Sequence, residues 1–224
     1  MAEERVVLAI DTSTVVNVGL ARGTDVLATA TVEDRMAHVE QLTPLIRDCL
    51  AQAGLRLAEV DQIVVGLGPG PFTGLRVGIV TAQTLAAVGG LDLHGICSLD
   101  VLAAQYAGQY ADQARAEFVV ATDARRREVY WAAYAADGRR QRAPQVGPPL
   151  EVPRRPTIGP AAAVYPDQLM AVPGPRVLDP GVLAAAGPGL PDAGSAPLYL
   201  RRPDATEPTR RKSVLPLTAR GVRR

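Results

Sequence analysis

The chain has 224 residues, is 47% hydrophobic and 21% charged, and carries a formal net charge of +1, which is enough apolar content for one large core or two of about 100 residues each. The charge is uneven: the stretch from Arg201 to the end holds eight basic and two acidic residues, leaving 16 basic and 21 acidic before it, so the body is mildly acidic. Two cysteines are too few for a disulfide framework, the start lacks the basic region and apolar length of a signal peptide, and no apolar run reaches membrane-spanning length; a cytoplasmic protein with no membrane role is expected.

Val6 to Ile10 is an apolar run closed by Asp11-Thr12-Ser13-Thr14. Val15 to Leu20 resumes it, Arg22-Gly23-Thr24-Asp25 has turn chemistry, and Val26 to Val32 alternates, so the chain opens as a three-stranded antiparallel meander. Val39, Leu42, Leu45, Ile46, Cys49, Leu50 and Ala53 then recur at three- and four-residue steps. This predicts a helix ended by Gly54, with Pro44 as the place for a kink. A β-branched run at Ile63 to Leu67, a glycine-rich turn and a small-residue helix from Leu75 to Val88 follow, then a strand at Leu93 to Ile96 and a helix capped by Ser98 and running through Tyr106.

The turn reads Gly66-Leu67-Gly68-Pro69-Gly70-Pro71-Phe72-Thr73-Gly74-Leu75-Arg76-Val77-Gly78. Between a strand and a helix, bare N–H groups at the positive end of the helix dipole suit a phosphate. Walker A is excluded because the single lysine is Lys212, and Gly68, Gly70 and Gly74 depart from the dinucleotide spacing. Two readings stay open: an anion-binding turn, or glycines that only allow a tight turn and close helix packing.

The second half begins as the first does. Phe118 to Asp123 is a strand ending in Asp, Glu128 to Ala135 alternates, and Asp137-Gly138 is a hairpin turn; Asp11 and Asp123 are 112 residues apart. Beyond this the copy degrades, with 16 of the 19 prolines from Pro144 onward, so a reduced, loop-rich second unit is expected. The organisation expected is a first domain over 1–110, a second over 111–203 and a basic tail over 204–224.

Duplicated α/β units with an Asp on each hairpin turn are the layout of the actin-like ATPase and sugar-kinase class. Within that class the chain resembles the bacterial TsaB (YeaZ) family, through Val7-Leu8-Ala9-Ile10-Asp11-Thr12-Ser13, the glycine segment, Asp123-Ala124-Arg125 with Glu128-Val129-Tyr130-Trp131, and Pro197-Leu198-Tyr199-Leu200-Arg201. The resemblance implies an actin-like (ASKHA) duplicated fold of two βββαβα-type units and a role in tRNA threonylcarbamoyladenosine biosynthesis. It implies a non-catalytic scaffold that pairs with a catalytic TsaD-like paralogue and a TsaE-like ATPase, and meets tRNA through that complex. Pairing in the family uses the helices corresponding to Ala37 to Ala53 and Leu75 to Val88. The expected interface residues are therefore Val39, Leu42, Ile46, Gly78, Thr81, Ala82, Leu85 and Ala86, and a homodimer is expected where the partner is absent.

The paralogue's metal is held by two histidines four residues apart. Here the matching stretch reads Ile96-Cys97-Ser98-Leu99-Asp100, and His38 and His94 lie in separate elements, so no metal or catalytic residue is expected. Neither Cys49 nor Cys97 has a neighbouring histidine to activate it. Asp11, Thr12 and Ser13, with Gly68, Gly70 and Arg76, retain phosphate-turn chemistry. This leaves a weak ATP/ADP-Mg contact at the complex interface as the cofactor expectation, beside the reading that Asp11 only caps backbone N–H groups. A stand-alone ATPase or phosphotransferase is the alternative function. The basic tail reads either as a solvated terminus or as a source of tRNA phosphate contacts.

Overall fold

A computed structural model describes residues 4–32, 38–112 and 116–201, without the side chains of residues 38–40. The expectations for the tail from 204, and those for the His38 and Val39 side chains, lie outside the described residues. The meander forms as the alternation predicts: β1 (Val6–Asp11), β2 (Val16–Arg22) and β3 (Asp25–Val32) pair antiparallel, with Gly23 at φ 57 in the hairpin turn. Strands β4 (Gln62–Gly66) and β5 (Asp92–Ile96) add in parallel, giving the order β3-β2-β1-β4-β5.

The sheet is covered on both faces, which is why β1 and β4 read as near-continuous apolar runs. Val6, Leu8, Ile10, Ile63 and Val65 point to one face with α1 (His38–Gln52) and α2 (Phe72–Gly89). Val7, Ala9 and Val64 point to the other with α3 (Ser98–Gln109) and α5 (Pro180–Ala186). Helix α1 runs unbroken through Pro44. It closes at Gly54, where φ is +65 and the Leu55 amide reaches the Leu50 carbonyl and the Gly54 amide that of Ala51, the hydrogen-bond pair of a Schellman end. Helix α2 begins at Phe72, earlier than Leu75, and α3 extends beyond Tyr106. Ser98 does not cap α3. The cap position is Cys97, and the Ser98 hydroxyl is used elsewhere.

The second sheet repeats the first in register. Strand β6 (Phe118–Asp123) pairs with β7 (Val129–Tyr134), and the pairs Phe118 with Tyr134 and Asp123 with Val129 are Val6 with Arg22 and Asp11 with Asn17 moved on by 112 residues. Strand β8 (Gln145–Gly147) then takes the place of β3, and the parallel β9 (Thr157–Ile158) that of β4. The copy is short, with a two-residue β9, a five-residue α4 (Pro160–Val164) and no described counterpart of β5.

The chain then leaves the second sheet. Helix α5, capped by Asp179 Oδ1 accepting from the Gly181 and Val182 amides, packs on the first sheet beside Ala21 and Val7. Residues 187–201 run back along the first unit as a strap: Ala193 N–H donates to the Gly95 carbonyl and Leu198 N–H to that of Leu67. Helix α2 satisfies length and composition for crossing a membrane, unlike the expectation of no such run. Its Gly74, Leu75, Gly78, Ile79, Ala82 and Ala86 are buried on the sheet, as in a helix laid over a core.

Candidate functional site

The β1 Asp turn and the glycine turn meet face to face and close on each other. A Cβ on Gly70 would stand 2.5 Å from the Ser13 carbonyl oxygen, and one on Gly78 2.3 Å from Thr12 Oγ1, so both glycines are there for close approach. Asp11, Thr12 and Ser13 are 0%, 1% and 2% exposed, and Gly68 and Gly70 are buried. The Thr12 hydroxyl donates to the Gly74 carbonyl at 2.8 Å. Asp11 Oδ1 accepts from the Ser13 amide at 2.8 Å and hydroxyl at 2.7 Å, and Oδ2 from the Ser98 hydroxyl. Burial raises the Asp11 carboxyl above its ordinary value against the lowering pull of those donors. The side-chain groups of Asp11, Thr12 and Ser13 are thus spent on hydrogen bonds within the protein, while Gly70 lines the cleft beside the turn and Ser13 a neighbouring one. Of the two open readings of Asp11, this geometry is that of the backbone cap.

Arg76, the sixth residue expected to face a phosphate, stands outside. Its guanidinium lies 3.7 Å from the Phe72 ring centroid, its Nε donates to the Tyr199 hydroxyl at 3.1 Å, and Phe72 and Tyr199 stack with centroids 4.4 Å apart. This stack forms one wall of a cleft of about 500 Å³ between the two sheets. Gly70 and Pro71 continue that wall, the β6–β7 hairpin from Asp123 to Arg126 lines it from the second unit, and Tyr130, Leu200 and Arg201 complete the lining. Arg201 donates to the Ala124 carbonyl at 2.9 Å and pairs with Glu128, so the strap ties the glycine turn to the hairpin. Asp123 accepts from the Arg125 amide at 3.0 Å, the same i+2 turn that Asp11 makes with Ser13, and bonds the Tyr165 hydroxyl. Of its residues the sequence pointed to Gly70 alone as a ligand contact, because the lining comes from three distant segments, 70–72, 123–130 and 199–201. Each segment lies in a block that carries the family resemblance: the glycine segment, Asp123-Ala124-Arg125 with Tyr130, and Pro197-Leu198-Tyr199-Leu200-Arg201.

The helix face expected to meet a partner needs correction. Leu42, Ile46, Gly78, Ala82 and Ala86 are buried against the chain's own sheet, since a helix on a sheet commits one stripe inward. Thr81 and Leu85 are half-buried at the stripe's edge. The outward stripe of α2 is a different one, offset by about half a turn: Thr73, Val80, Thr84, Ala87 and Val88 are exposed, Val80 by 57% and Val88 by 82%, with Val77 half-buried among them. A helical wheel drawn with Leu75 and Ile79 inward would have separated the two stripes.

Among the described residues no three of the His, Cys, Asp and Glu side chains gather as metal ligands. His94 Nε2 lies 3.0 Å from the Leu190 carbonyl oxygen, under the strap. Burial pushes the Cys49 thiol up to about 11 and Cys97 to about 12, the reverse of an activated nucleophile.

Comparison with known proteins agrees with this architecture. The family model described as "TsaD: tRNA N6-adenosine threonylcarbamoyltransferase" matches residues 27–146. An uncharacterized protein of Mycobacterium tuberculosis (strain ATCC 25618 / H37Rv) is 42% identical over 205 residues, 89% of this chain and 93% of its own. The tRNA threonylcarbamoyladenosine biosynthesis protein TsaB of Escherichia coli (strain K12) is 36% identical over 100 residues, covering 45% of this chain and 42% of its own. The solved structure of YeaZ from Pseudomonas aeruginosa superposes with a TM-score of 0.71 at 28% identity, over 88% of this chain and 100% of that one.

Proposed function

Because the chain belongs to the TsaB (YeaZ) family, with its duplicated actin-like α/β fold, we propose that it takes part in forming threonylcarbamoyladenosine in tRNA as an accessory subunit and not as the transferase. Its partners in this reading are a TsaD-like paralogue and a TsaE-like ATPase, and tRNA is met through their complex. The observation that carries the accessory role is the outward stripe of α2. Val77, Val80 and Val88, with Thr84 donating its hydroxyl back to the Val80 carbonyl, form an uncharged and mostly apolar row on the helix, with Thr81 and Leu85 beside it, suited to burial against another helix. The sealed Asp11 turn supports the same reading, because it leaves no exposed carboxylate there to hold a metal–nucleotide. In the absence of the paralogue the same stripe serves a second copy of the chain.

Reconstitution tests this. Purified chain is expected to leave ATP and tRNA unchanged by itself and to be required when the paralogue, the ATPase, threonylcarbamoyl-adenylate and tRNA are supplied. Val80→Arg should abolish co-elution with the paralogue and any self-association on gel filtration while leaving the fold intact, since its side chain is solvent-facing. ATP turnover by the chain alone, or a complex that tolerates Val80→Arg, would overturn the proposal.

A further inference from the structure

We infer that the segment Ser213-Val214-Leu215-Pro216-Leu217-Thr218, which lies outside the described residues, docks on the outward stripe of α2 in its own chain as an autoinhibitory contact. The stripe lacks a cover among the described residues. Val80 is 57% and Val88 82% exposed, with Thr84 and Ala87 exposed between them, so an uncharged row meets water along about three turns of helix.

The chain itself leads the segment there. The strap already follows one flank of α2: Gln83 Nε2 donates to the Ser195 carbonyl at 2.9 Å, and Tyr199 lies against the first turn, stacked on Phe72 and bonded by Arg76. The described residues end just beyond, at Arg201. From Arg201 to Val214 the chain can extend about 40 Å, while the 18 residues of α2 span about 27 Å, so every point of the stripe is within reach.

The chemistry of the two surfaces matches. Val214, Leu215 and Leu217 are the one group of large apolar side chains after Leu200, and Arg210, Arg211, Lys212 and Arg220 flank them. Residues 1–110 carry 12 acidic and 6 basic side chains, against two acidic and eight basic from Arg201 onward. An apolar island framed by cations therefore meets an apolar stripe on an acidic unit, and burial and long-range attraction act together. Tethering gives the segment an effective concentration of about millimolar, which a partner in solution must outcompete. The inhibitory consequence rests on the reading of this stripe as the partner surface: the segment holds the stripe until the paralogue or a second copy displaces it.

Engineered cysteines test the contact in the full chain, where Cys49 and Cys97 are buried and do not compete. Under mild oxidation, Thr84→Cys with Leu215→Cys is expected to form a disulfide within one chain about tenfold faster than Thr43→Cys with Leu215→Cys, whose first cysteine is exposed on α1 instead. Equal rates make the tail a solvated terminus or a tRNA contact and overturn the inference. A disulfide that joins two chains overturns it too, assigning the stripe to a second copy. Leu215→Asp with Leu217→Asp then measures the inhibition, and should tighten binding of the full chain to the paralogue by about tenfold. Unchanged affinity refutes the inhibitory role. A chain that binds no paralogue in either form sinks the accessory reading instead, and the cysteine rates still decide the contact.

Discussion

Asp100 is 2% exposed on the first turn of α3, and its surroundings tie its protonation to folding. Oδ1 accepts from the Tyr134 hydroxyl at 2.8 Å and lies 3.4 Å from Arg140 Nη1, while Oδ2 is buried without a hydrogen-bond partner. Desolvation outweighs these two favourable neighbours, so the carboxyl is raised above its ordinary value of 3.8, as is that of Asp11. The folded chain therefore binds these protons more tightly than the unfolded chain does. Their contribution to stability is full below about pH 3.8 and is lost as pH rises through the raised folded values. Asp100→Asn cannot titrate, and its stability should fall less steeply than the parent's over that window, by at most about 1.4 kcal/mol per pH unit. Urea unfolding of both proteins at several pH values measures the difference, and parallel curves would disprove it. Sequence alone could place Asp100 on a helix but not predict its burial, because the residues that enclose it, Tyr134 and Arg140, belong to the second unit.

At the scale of elements, the docking of α5 on β2 rests on one missing side chain. A Cβ on Gly19 would stand 2.1 Å from the Pro180 carbonyl oxygen and 3.3 Å from the Ala184 Cβ, and the first of these is backbone that cannot swing aside. Gly19→Ala should therefore push α5 off the sheet and destabilise the chain by about 1–3 kcal/mol, a typical overpacking cost. A Cβ on Gly108 in α3 would meet nothing within 4 Å, so Gly108→Ala should instead stabilise by about 0.5–1 kcal/mol through helix propensity. Opposite shifts of melting temperature in the two variants bear this out, and equal shifts refute it. The elements themselves were readable. Alternation gave β1 to β3, Gly54 gave the end of α1, and the offset of 112 between Asp11 and Asp123 is kept in the strand register. What local pattern could not give was direction. Helix α2 is apolar on several sides, so the residues chosen for a partner, Ala82 and Ala86 among them, proved to be the ones facing the sheet. Arg125, Tyr130, Tyr199 and Arg201 come together only through the strap, a contact set by tertiary folding that no short window contains.

For the whole molecule, that strap and α5 argue against two halves that fold separately. One core holds Val7, Ala9, Ala21 and Val64 of the first sheet together with Phe118, Val120, Ala132 and Tyr134 of the second, with Leu183 and Ala184 of α5 among them. Cut after residue 110, the first unit would expose the whole apolar face that α5 covers and lose the backbone bonds from Ala193 to Gly95 and from Leu198 to Leu67. The fragment 1–110 is thus expected to stay unfolded or to aggregate, although its five strands and three helices would pass for a complete domain by pattern. The intact chain should unfold in a single cooperative transition, with far-UV circular dichroism and tyrosine fluorescence changing together. Two separated transitions, or a soluble fragment with native-like dichroism and a sharp melt, would show that the first half supplies its own core, and that the returning C-terminal segment is an accessory to the fold and not part of its foundation.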